Sequence, residues 1–146
     1  MPLDLFKKTS IPEQLPDKML NVIAELKKSS NKEDCLKFAY EILNKKYRGY
    51  RVKTYIKIFD IFSKDITKIW QKNGFLHCTN INYVMRTLLV KSGHFNDNEI
   101  KIKWTFVWYI SPHQYLQVKI NNSRINIDIW GKVFGIKFGD YARGFH

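Results

Sequence analysis

The sequence predicts an α+β domain, with helices packed against an antiparallel sheet, on three observations. Apolar residues recur at helical spacing from residue 16 to about residue 92. From residue 99 onward the period shortens to two, the signature of strands. No internal repeat, low-complexity linker or composition break separates the two regimes, so residues 1–146 read as one domain.

In chain order, residues 16 to 28 place Met19, Leu20, Ile23 and Leu26 on one helical stripe, entered after Pro16. Ser30-Asn31-Lys32-Glu33 has the spacing of a capping box, an acceptor side chain with a glutamate three residues on. Behind it Cys35, Phe38, Ala39, Ile42 and Leu43 form a second stripe, with Gly49 past the helix end. Val52, Tyr55, Ile56, Phe59 and Phe62 suggest a third helix. Ser63 or Asp65 suits the cap of a short helix bearing Ile66, Ile69 and Trp70. The last helix opens at Cys78, runs through Ile81, Val84, Met85, Leu88 and Leu89, and stops at Ser92-Gly93. On this reading residues 1–62 are a helical elaboration ahead of a core spanning 63–146.

Residues 99 to 110, EIKIKWTFVWYI, alternate Ile100, Ile102, Trp104, Phe106, Trp108 and Ile110 with Lys101, Lys103, Thr105, Val107 and Tyr109. Residues 114–120 and 123–130 are two further strands joined by Asn121-Asn122. Asparagine tolerates positive φ, so this pair suits a two-residue type I′ turn. That turn pairs Ile120 with Ser123, Val118 with Ile125 and Leu116 with Ile127, apolar against apolar. A slip by one residue would throw the isoleucines onto the wrong face. The C-terminal GKVFGIKFGDYARGFH reads as turns around one more short strand.

The bulk composition narrows the function classes. With 45% hydrophobic and 15% aromatic residues the chain is too apolar to be disordered. No apolar run approaches the roughly 18 residues of a membrane span, and the first residues lack the apolar block of a signal peptide. Two cysteines make no disulfide scaffold, and a reducing, cytoplasmic location fits them. The net charge of +12, from 25 basic against 13 acidic residues, favours an anionic partner. Most lysines lie on the polar side of amphipathic patterns, where they read as a solvated face.

The hairpin register also carries chemistry. Tyr115 falls opposite Asp128, and His113 is diagonal to Asp128 on the same face, about 7 to 8 Å away between Cα atoms. An imidazole and a carboxylate bridge that distance. Cys78 completes a chemical set. A thiol at a helix N-terminus ionises more easily, because unpaired N–H groups and the helix dipole favour negative charge. A histidine in reach takes the proton, and a carboxylate fixes its tautomer and orientation. The helix N-terminus also offers an N–H to an oxyanion.

A cysteine opening a helix that ends Leu-Leu-x-x-x-Gly, a histidine at a strand start and an aspartate in the next strand resemble the transglutaminase-like superfamily. The matching segments are HCTNINYVMRTLLVKSG, SPHQYLQVKI and RINIDIWG, with 35 residues from Cys78 to His113 and 15 from His113 to Asp128. They cover residues 70 to about 135, roughly half the chain. The resemblance implies a papain-like core with Cys78 as nucleophile, His113 as base and Asp128 as orienter. It implies cleavage of an amide bond, or transfer of the acyl group to an amine, without a cofactor; some members have lost catalysis. Animal transglutaminases use calcium, but no EF-hand-like loop or acidic cluster stands here. Trp70 and Gln71 are the candidates for completing the oxyanion hole. His77, Gln114 and Trp130 are candidates for lining the substrate cleft, and His77 departs from the small or aromatic residue usual before the nucleophile.

The expected function is a thiol-dependent enzyme hydrolysing a peptide or isopeptide-type bond, its substrate a peptide or protein for which acidic character would suit the charge. The alternatives are a non-catalytic relative or a basic nucleic-acid-binding module using exposed aromatics such as Tyr115 and Trp130. Zinc held by His77, Cys78, His94, His113 and His146 is a further reading, although no ligand spacing supports it.

Overall fold

A computed structural model of the chain describes residues 8–50, 53, 56, 57, 59, 63 and 65–144. Its described part is α+β, helices followed by a three-stranded antiparallel sheet. Helix α1 spans Asp17–Lys27 and buries Met19, Ile23 and Leu26. Leu20, expected on that stripe, is 46% exposed, because it lies about 100° around the helix from Met19.

Helix α2 spans Lys32–Lys46. Its cap is Asn31 rather than Ser30, the Asn31 carboxamide accepting from the Asp34 N–H at 2.9 Å. Asparagine caps as well as serine does, and one residue later it leaves Glu33 outward to pair with Lys37. Cys35, Leu36, Ala39, Tyr40 and Leu43 form the buried stripe, and Phe38 is turned partly to solvent. The chain leaves α2 directly into β1, Tyr47–Arg48, which pairs in parallel with β2, Gly74–Phe75. Two-residue strands are too short to show a period. The Tyr47 hydroxyl ties β1 to the helix before β2, donating to the Ile69 carbonyl at 3.0 Å. That helix, α3, is Ile66–Gln71, and Asp65 caps it with bonds from the Thr67 and Lys68 N–H groups. Of the third helical stripe read from the sequence, Val52, Tyr55 and Phe62 lie outside the described residues, whereas Ile56 and Phe59 are exposed.

Helix α4, Cys78–Lys91, is the centre of the molecule. Every residue from Thr79 to Leu89 is buried, because α1, α2 and α3 cover it on one side and the sheet on another. The sheet follows as β3 (Ile100–Val107), β4 (Ser111–Ile120) and β5 (Ser123–Ile127), with β4 in the middle. The β4–β5 pairing joins Ile120 to Ser123, Val118 to Ile125 and Leu116 to Ile127, the register that the turn and the alternation predict. Only Asn121 of the turn pair takes positive φ, 53°, so the turn is not type I′, which needs both.

Two strand ends differ from the alternation. β3 stops at Val107, and the turn residues Trp108 and Tyr109 take φ of 52° and 59°, which leaves Phe106, Trp108, Tyr109 and Ile110 exposed at the hairpin tip. β5 stops at Ile127, and a 3₁₀ turn at Trp130–Phe134 replaces the end of the predicted strand. Instead of a further strand, the C-terminal segment makes isolated bridges from Gly139 to Asn126 and from Gly144 to Val107. No helix among the described residues is long and apolar enough to cross a membrane.

Gly49 is where β1 meets the 3₁₀ turn. A Cβ there would lie 2.6 Å from an indole carbon of Trp130 and closer still to the Trp130 carbonyl oxygen. Backbone cannot yield as a flexible side chain can, so Gly49→Ala should cost about 1 to 3 kcal/mol by overpacking. Urea unfolding measures this, and an unchanged midpoint would show that the contact is slack.

Candidate active site

Three elements bring Cys78, His113 and Asp128 together. Cys78 is the first residue of α4 and is only partly buried. The caps of α2 and α3 accept from the first turn through a side chain, but the α4 cap, His77, does not. Its imidazole is 3% exposed and is engaged instead with the Lys57 carbonyl, 2.7 Å from Nε2, with its ring edge against Phe75 at 5.0 Å. The first-turn N–H dipoles of α4 therefore face Cys78 without competition from a capping side chain.

His113 lies near the start of β4, the central strand, and Asp128 just beyond the end of β5. His113 Nε2 is 2.7 Å from Asp128 Oδ2, and both side chains are almost fully buried. Released from strand pairing, Asp128 is gripped by backbone: Oδ1 accepts from the Gly131 N–H at 2.9 Å, and Oδ2 from the Ala142 N–H at 2.8 Å. The 3₁₀ turn and the C-terminal strap thus aim the carboxylate at His113. Trp130 lies against the imidazole, ring centroids 4.8 Å apart, and is itself 5% exposed, so it shields the pair from water. Burial alone would push the imidazole towards its neutral form. The charge and hydrogen bond of Asp128, with a smaller contribution from Cys78, outweigh it and raise the His113 pKa to about 10. With Nε2 committed to Asp128, Nδ1 is the nitrogen left for the thiol.

The remaining sequence candidates are placed differently. Gln114 is 1% exposed and turned to the helix face, where the Asn82 carboxamide donates to its side-chain oxygen at 3.1 Å and to its carbonyl at 2.9 Å. Strand alternation sends it away from His113, so it ties α4 to β4 rather than lining an open cleft. Trp70 is buried beneath Lys46, whose Nζ is 4.8 Å from its ring, and Gln71 is exposed at the end of α3. Tyr115 and Trp130, expected as exposed aromatics, are 8% and 5% exposed; Tyr115 stacks on Tyr141 at 4.2 Å. The sequence reading missed the backbone donors of Gly131 and Ala142. The glycine two residues beyond Ile129 was the available signal, since a Cβ at Gly131 would stand 2.9 Å from Asp128 Oδ2. Among the described residues no three of His, Cys, Asp and Glu gather as a metal-ligand set, and His146 lies outside them. Comparison with protein-family models, curated proteins and solved structures finds no match.

The raised pKa has a consequence for folding. His113 keeps its proton to about pH 10 when folded and to only about 6.5 when unfolded. Its contribution is therefore complete below about pH 6.5 and is lost as pH rises towards 10. Between pH 7 and 9 the native state holds one more proton there than the unfolded state, a slope approaching about −1.4 kcal/mol per pH unit. In Asp128→Asn either orientation of the amide sets its NH₂ against a backbone N–H, at a cost of about 1 to 3 kcal/mol, and removes this slope. Urea unfolding at several pH values reads both effects. Parallel pH profiles for the two proteins would refute the assignment.

Proposed function

We propose that the chain is a thiol-dependent acyl-transfer enzyme that hydrolyses a peptide or isopeptide-type amide bond through Cys78, His113 and Asp128. The observation that carries the proposal is the buried His113 ring, bonded to Asp128 through one nitrogen, with Cys78 among the neighbours that favour its charged form. A structural cysteine needs no such arrangement, and Cys35 is the internal comparison: fully buried, with its thiol pKa pushed up by burial against the opposing bonds from Ser92 and Ser29. The order of the three residues and the placement of the cysteine at the start of a helix packed on an antiparallel sheet support a transglutaminase-like, papain-like core.

In this reading His113 already carries the proton, as the imidazolium of a thiolate–imidazolium pair, and the Cys78 sulfur attacks the acyl carbon. The carbonyl π pair moves to oxygen, which the first-turn N–H dipoles of α4 stabilise. Collapse of the tetrahedral adduct breaks the C–N bond as His113 returns its proton to the departing amine. Water, activated by the same imidazole, then cleaves the thioester and restores the thiol. Asp128 keeps the ring oriented and balances its charge throughout, without itself being protonated. The alternatives are a non-catalytic relative and a nucleic-acid-binding module, for neither of which would the thiol matter.

Iodoacetamide at pH 6 should alkylate Cys78 far faster than Cys35, read by peptide mass mapping. Equal rates, or faster labelling of Cys35, would sink the idea. Across a panel of peptide and isopeptide substrates, Cys78→Ala should abolish turnover while changing stability by no more than about 1 to 2 kcal/mol. Asp128→Asn should lower turnover by several orders of magnitude, about 10⁴-fold in a comparable triad. Turnover that survives loss of the sulfur would place the chemistry elsewhere.

A further inference from the structure

A cavity of about 460 Å³ is bounded by Lys45, Lys46 and Arg48 at the end of α2 and in β1, by Asn73 and Gly74, and by Lys132; its lining includes none of the triad side chains. No acidic residue lines it, so four cations face one space. Among the described residues other lysines are paired with an acid, as Lys37 is with Glu33 and Lys32 with Glu99. The cavity borders both segments that carry the triad. Gly74 opens β2, which leads through Leu76 and His77 into Cys78. Lys132 sits in the 3₁₀ turn whose Gly131 N–H holds Asp128.

The cations are also partly prearranged. Lys46 Nζ donates to Asn73 Oδ1 at 2.9 Å and stands over the rings of Trp70 and Tyr47. Burial, with the charge of Lys18 behind it, lowers the Lys46 pKa. An anion in the cavity would relieve that penalty, since an opposite charge favours the protonated amine. We propose that the cavity is a subsite for an anionic substituent, a carboxylate or a phosphate, on the substrate of Cys78, an inference that rests on the acyl-transfer reading above. A nucleic-acid track is disfavoured by the shape and the lining. The cations converge on one space, and the aromatic ring in its wall, Tyr47, is 2% exposed and offers no face for a base to stack on.

The test uses the full chain carrying Cys78→Ala, so that binding is read without turnover. An acetylated, amidated triglutamate peptide and a phosphoserine peptide of equal length are titrated against amide chemical shifts, with triglutamine and a single-stranded oligouridylate alongside. The expected result is saturable shifts at Arg48, Gly74 and Lys132 with an acidic peptide and none with triglutamine. Affinity should weaken at least about fivefold when Arg48→Gln and Lys132→Gln are combined. The two acidic peptides distinguish a carboxylate from a phosphate. Shifts that never saturate, that spread over lysines of other faces, or that persist in the double variant would overturn the proposal. So would an oligouridylate that binds these residues more tightly than either peptide. Saturable binding beside an inert Cys78 in the unsubstituted protein would defeat the acyl-transfer reading and leave only an anion site. A reactive Cys78 without such binding would defeat the subsite alone.

Discussion

Helix α4 has no solvent face from Thr79 to Leu89, and the rest of the structure is arranged around that constraint. A helix buried all round cannot place polar side chains in water, so an unpaired one is costly, and most of those on α4 find partners inside the protein, the Thr79 hydroxyl being an exception. Asn82 finds Gln114 on β4, Thr87 donates to the Tyr83 carbonyl, and Arg86 reaches Asp97 and the Thr9 carbonyl. These bonds are directional where apolar packing is not. The Asn82–Gln114 bonds fix the axial position of α4 against the sheet, and those of Arg86 tie it to the Asp97 turn and the N-terminal segment. The position of Cys78 relative to His113 follows from that register, because the first residue of α4 is set by the same bonds that hold its middle.

Asp128 shows the complementary device. Had β5 continued, the carboxylate would have stood on a strand with no backbone donors aimed at it, since a strand spends its N–H groups on its neighbours. Ending the strand at Ile127 frees the chain to turn. The turn then presents the Gly131 N–H, and the returning C-terminal segment presents that of Ala142. The close approaches at Gly131 and Gly49 are the steric cost of fitting that turn and Trp130 into so small a space. A buried carboxylate with three donors, one of them His113, has little freedom to swing away from the imidazole.

The legible parts of this chain were those in which two independent signals agreed. In the β4–β5 hairpin the turn residues and the alternation demanded the same register, which the structure has; the strand pairing of Asp128 with Tyr115 does not form, and the His113–Asp128 contact is made just past the end of β5. The α3 cap was legible because Asp65 directly precedes the apolar spacing that it serves. Where one signal stood alone, the reading drifted. The capping-box spacing chose Ser30, although Asn31 could do the same work one residue later. Hydrophobicity put Leu20 and Phe38 in the core, although Leu36 and Tyr40 sit closer to the buried stripe. The 3₁₀ turn is too short to show a period, and the β1–β2 pair and the Ala142 bond to Asp128 left no periodic trace, since each is made between residues distant in sequence. The basic cavity was invisible for the same reason: Arg48, Gly74 and Lys132 meet only after folding.

The net charge of +12 would seem to oppose a buried imidazolium, yet His113 is shifted towards its charged form. The resolution lies in distance and screening. Exposed lysines act through water and salt, where the field of a charge fades over about 8 Å at physiological ionic strength. Asp128 acts at 2.7 Å through a direct bond in a site sealed by Trp130, where neither water nor ions intervene. The local acid therefore governs the proton on His113, and the distributed positive charge is left to act at longer range. Its reach extends to whatever approaches from solution, and the basic cavity is where four of those charges converge. In the proposed enzyme the same excess that leaves the buried pair undisturbed would draw an anionic substrate towards it.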